Sequence, residues 1–284
     1  MFFLEYAKEA KRAVINLLGF RASIAYANKA SYNSKISLNA YSHYSGLKKP
    51  ENTVLELLKR ISSIKIMLDI GVGAGRTTEK FSSVSEKYIG IDYSENMIHF
   101  CKARFRKLSN VSFSIMDARN LSAYGNETFD FVLFSHGGLD AVEHVDREKI
   151  LNEIRRVSKK DGYFCFSTSN LEGVSKFCDL ELSKDPKVFA RRIINLLLIR
   201  LINPEIWAYR RGKCPGLKHA MYNIGGDNWS LKTYCITPSE QIKQLRSFDF
   251  DEIRIFDLSG KEATKLSMTE EIELYFLCRA KGST

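Results

Sequence analysis

Several features are scarce or missing in this sequence, and each absence narrows the class of protein. The six cysteines are widely scattered and include no C-x-x-C pair, so we expect reduced thiols and predict neither a metal site nor a disulfide framework. No stretch approaches the roughly twenty uninterrupted apolar residues of a membrane span. The N-terminus has Glu5 and Glu9 where a signal peptide has its apolar stretch, which favours a cytoplasmic protein.

The glycine-rich stretch at residues 67–78, MLDIGVGAGRTT, is the most informative part of the chain. It reads as a buried strand that breaks into a turn and then begins a helix. Glycine permits the positive φ angles of such a turn, and its missing Cβ lets a ligand approach the N–H groups at the helix start. A dinucleotide fingerprint would need its third glycine at position 76, which is Arg76. A purely structural turn is the alternative interpretation.

Three later segments lie at spacings along the sequence that are typical of strands following such a turn. The strand-like run at 88–92 ends in Asp92, where a carboxylate can accept both hydroxyls of a ribose. The run at 111–118 contains Asp117 at its end, and the run at 129–134 opens into the loop Ser-His-Gly-Gly-Leu-Asp at 135–140. Each acid taken alone is also explained as a helix cap.

Together, these motifs resemble class I S-adenosylmethionine-dependent methyltransferases. The similarity covers residues 60–170 well and is greatest to a broad bacterial group with Phe-Ser-x-x-Gly-Leu-Asp at 134–140 and Ser-x-x-Asn at 167–170. It implies an α/β fold, a doubly wound Rossmann-like sheet of seven strands with an antiparallel last strand. It also implies S-adenosylmethionine as cofactor, held by Asp69, Gly71, Gly73, Gly75, Asp92, Tyr93, Met97, Asp117, Ala118 and Ser135, and no metal.

We expect four segments along the chain. Residues 1–60 form an N-terminal helical extension or lid, and residues 61–170 form the cofactor-binding core. Residues 171–236 form a basic cap inserted after the fifth strand, since a long insertion there commonly covers an active site. Residues 237–284 complete the core sheet, with a helix beginning at the capping sequence Thr-Pro-Ser-Glu of residues 237–240 and strands near 253–258 and 272–280.

Positive charge is concentrated in the extension and the cap. The net charge of +10 divides into +6 for residues 1–60 and +7 for residues 186–218, with −1 for 61–185 and −2 for 219–284. Basic residues there would attract an anionic acceptor, a nucleic acid or a membrane surface, or simply form a solvated face. Apolar residues at helical spacing within 6–25 and 188–202 predict two basic amphipathic helices, for which packing on a protein core is expected more than membrane contact.

The chemistry of methyl transfer requires the donor and acceptor to be held in line and close together. Ligands of open α/β sheets bind beyond the carboxyl ends of the strands, so His136 in the loop after the fourth strand is the candidate catalytic base. Packing against the cofactor is its alternative role. The other acceptor-site candidates are aromatic, basic or acidic residues of the extension, this loop and the cap: Tyr41, Tyr44, Asp140, His144, Arg211, Tyr222 and Tyr234.

The sequence therefore predicts a methyltransferase acting on the oxygen or nitrogen of a small molecule, anionic or aromatic in character. The loop lacks the Asn/Asp-Pro-Pro-Tyr/Phe sequence found in enzymes that methylate nucleic-acid bases and protein glutamine. One alternative, motivated by the charge, is an RNA (tRNA) methyltransferase. Another is a non-catalytic S-adenosylmethionine-binding or membrane-associated regulator.

Overall fold

The computed structural model of the chain describes residue 28 and residues 32–60, 64–174, 184–223 and 232–282. The helix predicted within residues 6–25 lies outside these residues, as do residues 175–183 and 224–231 of the predicted cap. The described residues form an α/β fold around one mixed sheet. Its strands are β1 (Ile64–Ile70), β2 (Ser85–Asp92), β3 (Val111–Ile115), β4 (Phe129–Phe134), β5 (Ser158–Asn170), β6 (His219–Tyr222), β7 (Thr233–Ile236), β8 (Phe250–Phe256) and β9 (Glu273–Ala280).

The first five strands are parallel and lie in the order β3-β2-β1-β4-β5. The order reverses direction between β1 and β4, which creates a crevice at the carboxyl ends of these two strands. On the far side, β9 runs antiparallel to β5, and β8 pairs antiparallel with β9. The Rossmann-like sheet with an antiparallel last strand is thus confirmed.

The sheet has two strands more than the seven expected, because the insertion contributes a hairpin. β6 and β7 pair antiparallel with each other, and β7 pairs in parallel with Ser169 and Asn170 at the end of β5. Ser169 also pairs with Glu273 of β9, so β7 and β9 occupy opposite edges of β5. The hairpin therefore extends the sheet past the end of β4.

Helices cover both faces of the sheet, because alternate residues of the central strands feed two separate cores. Leu68 and Phe164 belong to one core, which includes residues of α5 and α9, while Met67 and Cys165 belong to the other, which includes residues of α2, α3 and α4. The helices are α1 (Lys35–Ser42), α2 (Lys49–Arg60), α3 (Thr78–Ser82), α4 (Glu95–Arg104), α5 (His144–Val157), α6 (Leu171–Val174), α7 (Pro186–Ile202), α8 (Pro204–Arg210), α9 (Pro238–Ser247) and α10 (Lys265–Glu270). α6, α7, α8 and the hairpin share a third, smaller core.

Two kinds of feature are absent from the described residues. None of their helices is long and apolar enough to cross a membrane. Among the same residues, no group of three or more His, Cys, Asp and Glu side chains is placed to hold a metal ion.

Candidate functional site

The glycine-rich turn leaves β1 at the sheet crevice. Gly71, Gly73 and Gly75 have φ values of 63°, 54° and 81°, the left-handed region that glycine adopts without strain. The N–H of Val72 donates to the carbonyl of Ile91 at 3.0 Å, which ties the turn to β2. A Cβ built on Gly73 meets only the Gly71 carbonyl oxygen, at 4.0 Å, so the space beside this residue is open.

Gly75 has a different role from the other two glycines. It is absent from the described residues that line the cavity beside the turn. A Cβ at Gly75 would clash with the Phe105 ring and lie 3.2 Å from the Cys101 Sγ. The structure therefore places the predicted cofactor ligand Gly75 at the contact between the turn and α4.

Asp92 stands at the end of β2, facing the turn. Its Oδ2 accepts a hydrogen bond from the Gly73 N–H at 3.0 Å, and its Oδ1 accepts from the Ser94 N–H at 2.8 Å. Burial raises the pKa of this carboxyl, and the two N–H groups offset that effect only in part. Each carboxylate oxygen still has a lone pair to offer a hydroxyl donor. Asp92 lines the cavity next to Tyr93 and Met97.

Asp69 precedes the turn and is 2% exposed. Its Oδ2 accepts from the Thr77 hydroxyl at 2.6 Å and from the Tyr88 hydroxyl at 2.5 Å. Burial raises the pKa of Asp69 to about 6 against the effect of these two bonds. Asp69 precedes the turn and Thr77 follows it, so the hydrogen bond between them links the two ends of the turn. Asp69 also lines the cavity.

Asp117, after β3, is engaged by an arginine that the sequence reasoning did not single out. Arg119 donates to both carboxylate oxygens of Asp117, at 3.0 and 2.7 Å, and to Asp146 at 2.7 Å. Asp117, Ala118 and Arg119 all line the cavity. A ligand at Asp117 therefore has to share its carboxylate with a guanidinium.

A buried ion pair joins the turn to the rest of the site. The Glu51 carboxylate on α2, fully buried, accepts two hydrogen bonds from the Arg76 guanidinium at 2.5 Å. It also accepts from the Ser135 hydroxyl, and the Tyr275 hydroxyl lies 3.4 Å away. Burial opposes ionisation of Glu51, but Arg76, Ser135 and the Lys48 N–H together lower its pKa. Because Ser135 donates to Glu51, its hydroxyl acts within this network.

The loop after β4 places His136 in the cavity wall. Its φ of 60° lies in the left-handed region. The His136 ring centroid lies 6.3 Å from those of Tyr41 and Tyr44, and all three residues line the cavity. Partial removal from water and the charge of Lys48 lower the pKa of His136 below its ordinary value, which favours the neutral imidazole at pH 7.

Aromatic rings continue this wall. Tyr32, which sequence reasoning missed, lies 6.1 Å from Tyr41 and 6.4 Å from Tyr93 between ring centroids and lines the same cavity. The cavity is thus lined by the glycine turn and the acidic strand ends together with four tyrosines and His136. The local sequence gives no sign that Tyr32 belongs to the site. Its ring partners Tyr41 and Tyr93 lie on α1 and just after β2, and they meet Tyr32 only in the folded chain.

The remaining acceptor-site candidates lie apart from this cavity. Asp140 is fully buried and pairs with Arg147 at 2.8 Å, while it also accepts from the Thr168 hydroxyl and the Ser169 N–H. It therefore anchors the loop after β4 to the end of β5. None of the cavity-lining residues found among the described residues comes from 184–223 or 232–282.

The four other candidates have packing partners of their own. His144 Nδ1 lies 2.7 Å from the Tyr234 hydroxyl, and the His144 ring stacks on His219. Tyr222 is buried in the small core of the insertion. The Arg211 guanidinium stacks on the Trp207 ring at 5.7 Å. The structure therefore brings Tyr41, Tyr44 and His136 together and leaves the cap candidates outside.

Comparison with known proteins gives a consistent family match over the core. Residues 68–166 match the family described as methyltransferase domain. The chain is 25% identical over 250 residues to the malonyl-[acyl-carrier protein] O-methyltransferase of Bacillus anthracis, covering 79% of this chain and 90% of that enzyme. It is 33% identical over 101 residues to an uncharacterized methyltransferase of Bacillus subtilis (strain 168), covering 34% of this chain.

The extent of these matches differs. The match to the Bacillus subtilis protein spans 38% of that relative's length. Among solved structures, a crystal structure of an S-adenosylmethionine-dependent methyltransferase from Clostridium acetobutylicum ATCC 824 has a TM-score of 0.56 at 14% identity, and the similarity covers 82% of this chain and 92% of that one. This likeness shows a shared fold.

Proposed function

Residues 68–166 are a class I S-adenosylmethionine-dependent methyltransferase domain, and from this premise we propose that the protein methylates a small-molecule acceptor. The observation that carries the proposal is the single cavity shared by two sets of residues. One set, the proposed donor side, is the glycine turn with Asp92, and the other, the proposed acceptor side, is Tyr41, Tyr44 and His136. A donor and an acceptor bound to these two sides would meet within the cavity, as in-line transfer requires.

The donor side has the chemistry that S-adenosylmethionine needs. The open space at Gly73 admits a ligand next to the backbone, and Asp92 offers two carboxylate oxygens for ribose hydroxyls. Met97 and Met116 add apolar surface. When bound, the cofactor supplies a methyl group on a positively charged sulfur. Asp69 and Asp92 place negative charge on the cavity wall, which would favour binding of that cation.

On the acceptor side, the tyrosine wall selects and orients the acceptor and His136 takes its proton. A hydroxyl acceptor must lose a proton at or after transfer, and a neutral imidazole receives it at pH 7. An amine acceptor needs only to be held unprotonated. The lowered pKa of His136 favours its neutral form at pH 7 and therefore suits a hydroxyl acceptor.

The basic cap does not support RNA as the acceptor over a small molecule. Residues 184–218 contribute none of the cavity-lining positions found in the described part of the chain. We therefore infer a compact acceptor that enters the tyrosine-lined side.

Calorimetry with S-adenosylmethionine and its demethylated product tests the donor site. Asp92→Ala should lower affinity for both ligands about tenfold or more, because it removes hydrogen bonds to a charged group. Asp251→Ala, an exposed carboxylate at the start of β8, serves as the matched control and should bind normally. Equal affinity in wild type and Asp92→Ala would overturn the site. A screen of metabolite extracts with labelled methyl donor then identifies the acceptor.

A further inference from the structure

Helix α7 of the insertion exposes an apolar face. Leu197 is 59% exposed and Leu201 is 64% exposed, whereas Ile199 between them is buried against the small core of the insertion. Three of the eight large apolar side chains that are exposed among the described residues belong to this one helix. A soluble helix normally turns such residues inward.

The spacing shows that two of these three side chains, Leu197 and Leu201, share one face, whereas Val188 lies about half a turn round the helix from Leu197. Ile193, Leu197 and Leu201 are four residues apart, so they form a stripe along the helix. Ile199 lies about half a turn away from Leu197 and Leu201, on the opposite side. Ile193 and Ile194 are partly exposed, which extends the stripe toward the start of the helix. The side of α7 that carries Ile199 thus packs on the small core of the insertion, and the side that carries Leu197 and Leu201 faces outward.

Positive charge is concentrated in the same segment as this stripe. Residues 184–218 contain nine Lys or Arg and two acids. Lys187 and Arg200 are exposed on α7, and Lys213 is exposed just after α8. The Arg200 and Arg211 guanidiniums lie over the Trp207 ring, at 4.9 and 5.7 Å. An apolar stripe flanked by cations complements a surface with acyl chains below a layer of negative charge.

We propose that α7 and α8 bind the protein to the surface of an anionic lipid bilayer. Leu197 and Leu201 enter the boundary between headgroups and acyl chains, while Lys187, Arg200 and Lys213 face the acidic headgroups. A nucleic acid would match the charge but would leave the leucines in water. The helix is too short and too charged to span the bilayer, so the contact is peripheral. The proposal does not depend on methyl transfer, because these residues lie outside the cavity.

Vesicle flotation of the full chain tests the proposal. The protein should float with vesicles of phosphatidylcholine and phosphatidylglycerol and remain at the bottom with phosphatidylcholine alone. Leu197→Glu/Leu201→Glu should reduce partitioning about tenfold or more by removing the apolar contact. Leu266→Glu is the matched control, because Leu266 is equally exposed, at 64%, on α10. It should float like the wild type.

The charge contribution has its own variant. Lys187→Glu/Lys213→Glu should also weaken binding about tenfold or more, since each basic residue near the surface contributes several-fold to partitioning. Thermal unfolding checks that both double variants fold. If the leucine variant misfolds, two other measurements test the proposal. These are the flotation of the lysine variant and the difference in wild-type flotation between the anionic and the phosphatidylcholine vesicles.

Two results would overturn the proposal. One is failure of the wild type to float with the anionic vesicles. The other is flotation of the leucine and lysine variants at the wild-type level. Binding of tRNA in a filter assay, lost in the lysine variant but kept in the leucine variant, together with no flotation, would assign the basic surface to nucleic acid instead.

Discussion

Asp69 shows how burial at one residue couples the site to pH. Its pKa in the folded protein is about 6, against 3.8 for the ordinary carboxyl, and burial is the main cause. The folded chain therefore binds the proton more tightly than the unfolded chain does. The stability that protonated Asp69 provides is full below about pH 3.8 and is lost as the pH rises through about 6.

Asp69→Asn removes this titration while an amide oxygen remains to accept hydrogen bonds. We expect the variant to be more stable than the wild type at pH 8, by up to roughly 3 kcal/mol, and to lose this advantage near pH 4. Urea unfolding of the ligand-free protein at the two pH values measures the difference. Asp251→Asn, an exposed carboxyl, is the control. A stability difference that is the same at both pH values would refute the role of burial.

His136 provides the corresponding test of chemistry. His136→Asn retains a residue type that tolerates the left-handed conformation, so the variant should fold. Its kcat should fall about 10²- to 10⁴-fold with donor affinity nearly unchanged, as expected for loss of a base. In the wild type, kcat should rise with pH through a pKa below 6.5 and then stay constant.

The exposed His99 on α4 supplies the matched control, because it does not line the cavity. His99→Asn should turn over at the wild-type rate. If His136→Asn also turns over within a few-fold of wild type, the residue is not the base. The acceptor would then be a nucleophile that needs only positioning.

Among the elements, α2 connects the turn to the loop after β4 through Glu51. Removing the charge from Glu51 leaves the Arg76 guanidinium largely buried without its counter-ion. Glu51→Gln should therefore cost about 3 kcal/mol in unfolding free energy and weaken donor binding, since Arg76 belongs to the turn. Denaturant unfolding and calorimetry measure the two effects.

Glu56→Gln, on the same helix, is the control for this substitution. Its side chain is 59% exposed and pairs with Lys59, so the change should cost little. Equal effects of the two substitutions would show that Glu51 has no special role in the site.

The strands and turn of the core were predictable because each has a local signal. Apolar runs that end in Asp69, Asp92 and Asp117 mark strand ends, and the glycines mark the turn that follows β1. Glu51 carried no such signal, since its charge partner is 25 residues away and meets it only in the folded chain. A charged residue inside the amphipathic pattern of α2, facing inward with Val54 and Leu58, was the one available indication.

For the whole molecule, the sequence shows which segments are basic but not which segments line the cavity. The insertion was expected to wall the acceptor pocket, yet its described residues pack around their own small core and lie outside the cavity. The extension supplies the aromatic wall instead, through Tyr32, Tyr41 and Tyr44. Tertiary packing decides which distant segments meet at the edge of the sheet. Local sequence patterns therefore do not reveal those contacts.

This division between a core cavity and a basic insertion predicts two different responses to salt. The Debye length falls from about 10 Å at 0.1 M to about 3 Å at 1 M salt, so attraction between the insertion and an anionic surface should largely disappear. If the donor binds through hydrogen bonds to Asp92 in a partly buried cavity, as proposed, its affinity should change only a few-fold. Calorimetry and vesicle flotation over the same salt series measure both responses. Parallel loss of donor affinity and flotation would mean that the basic insertion and the cavity act as one site.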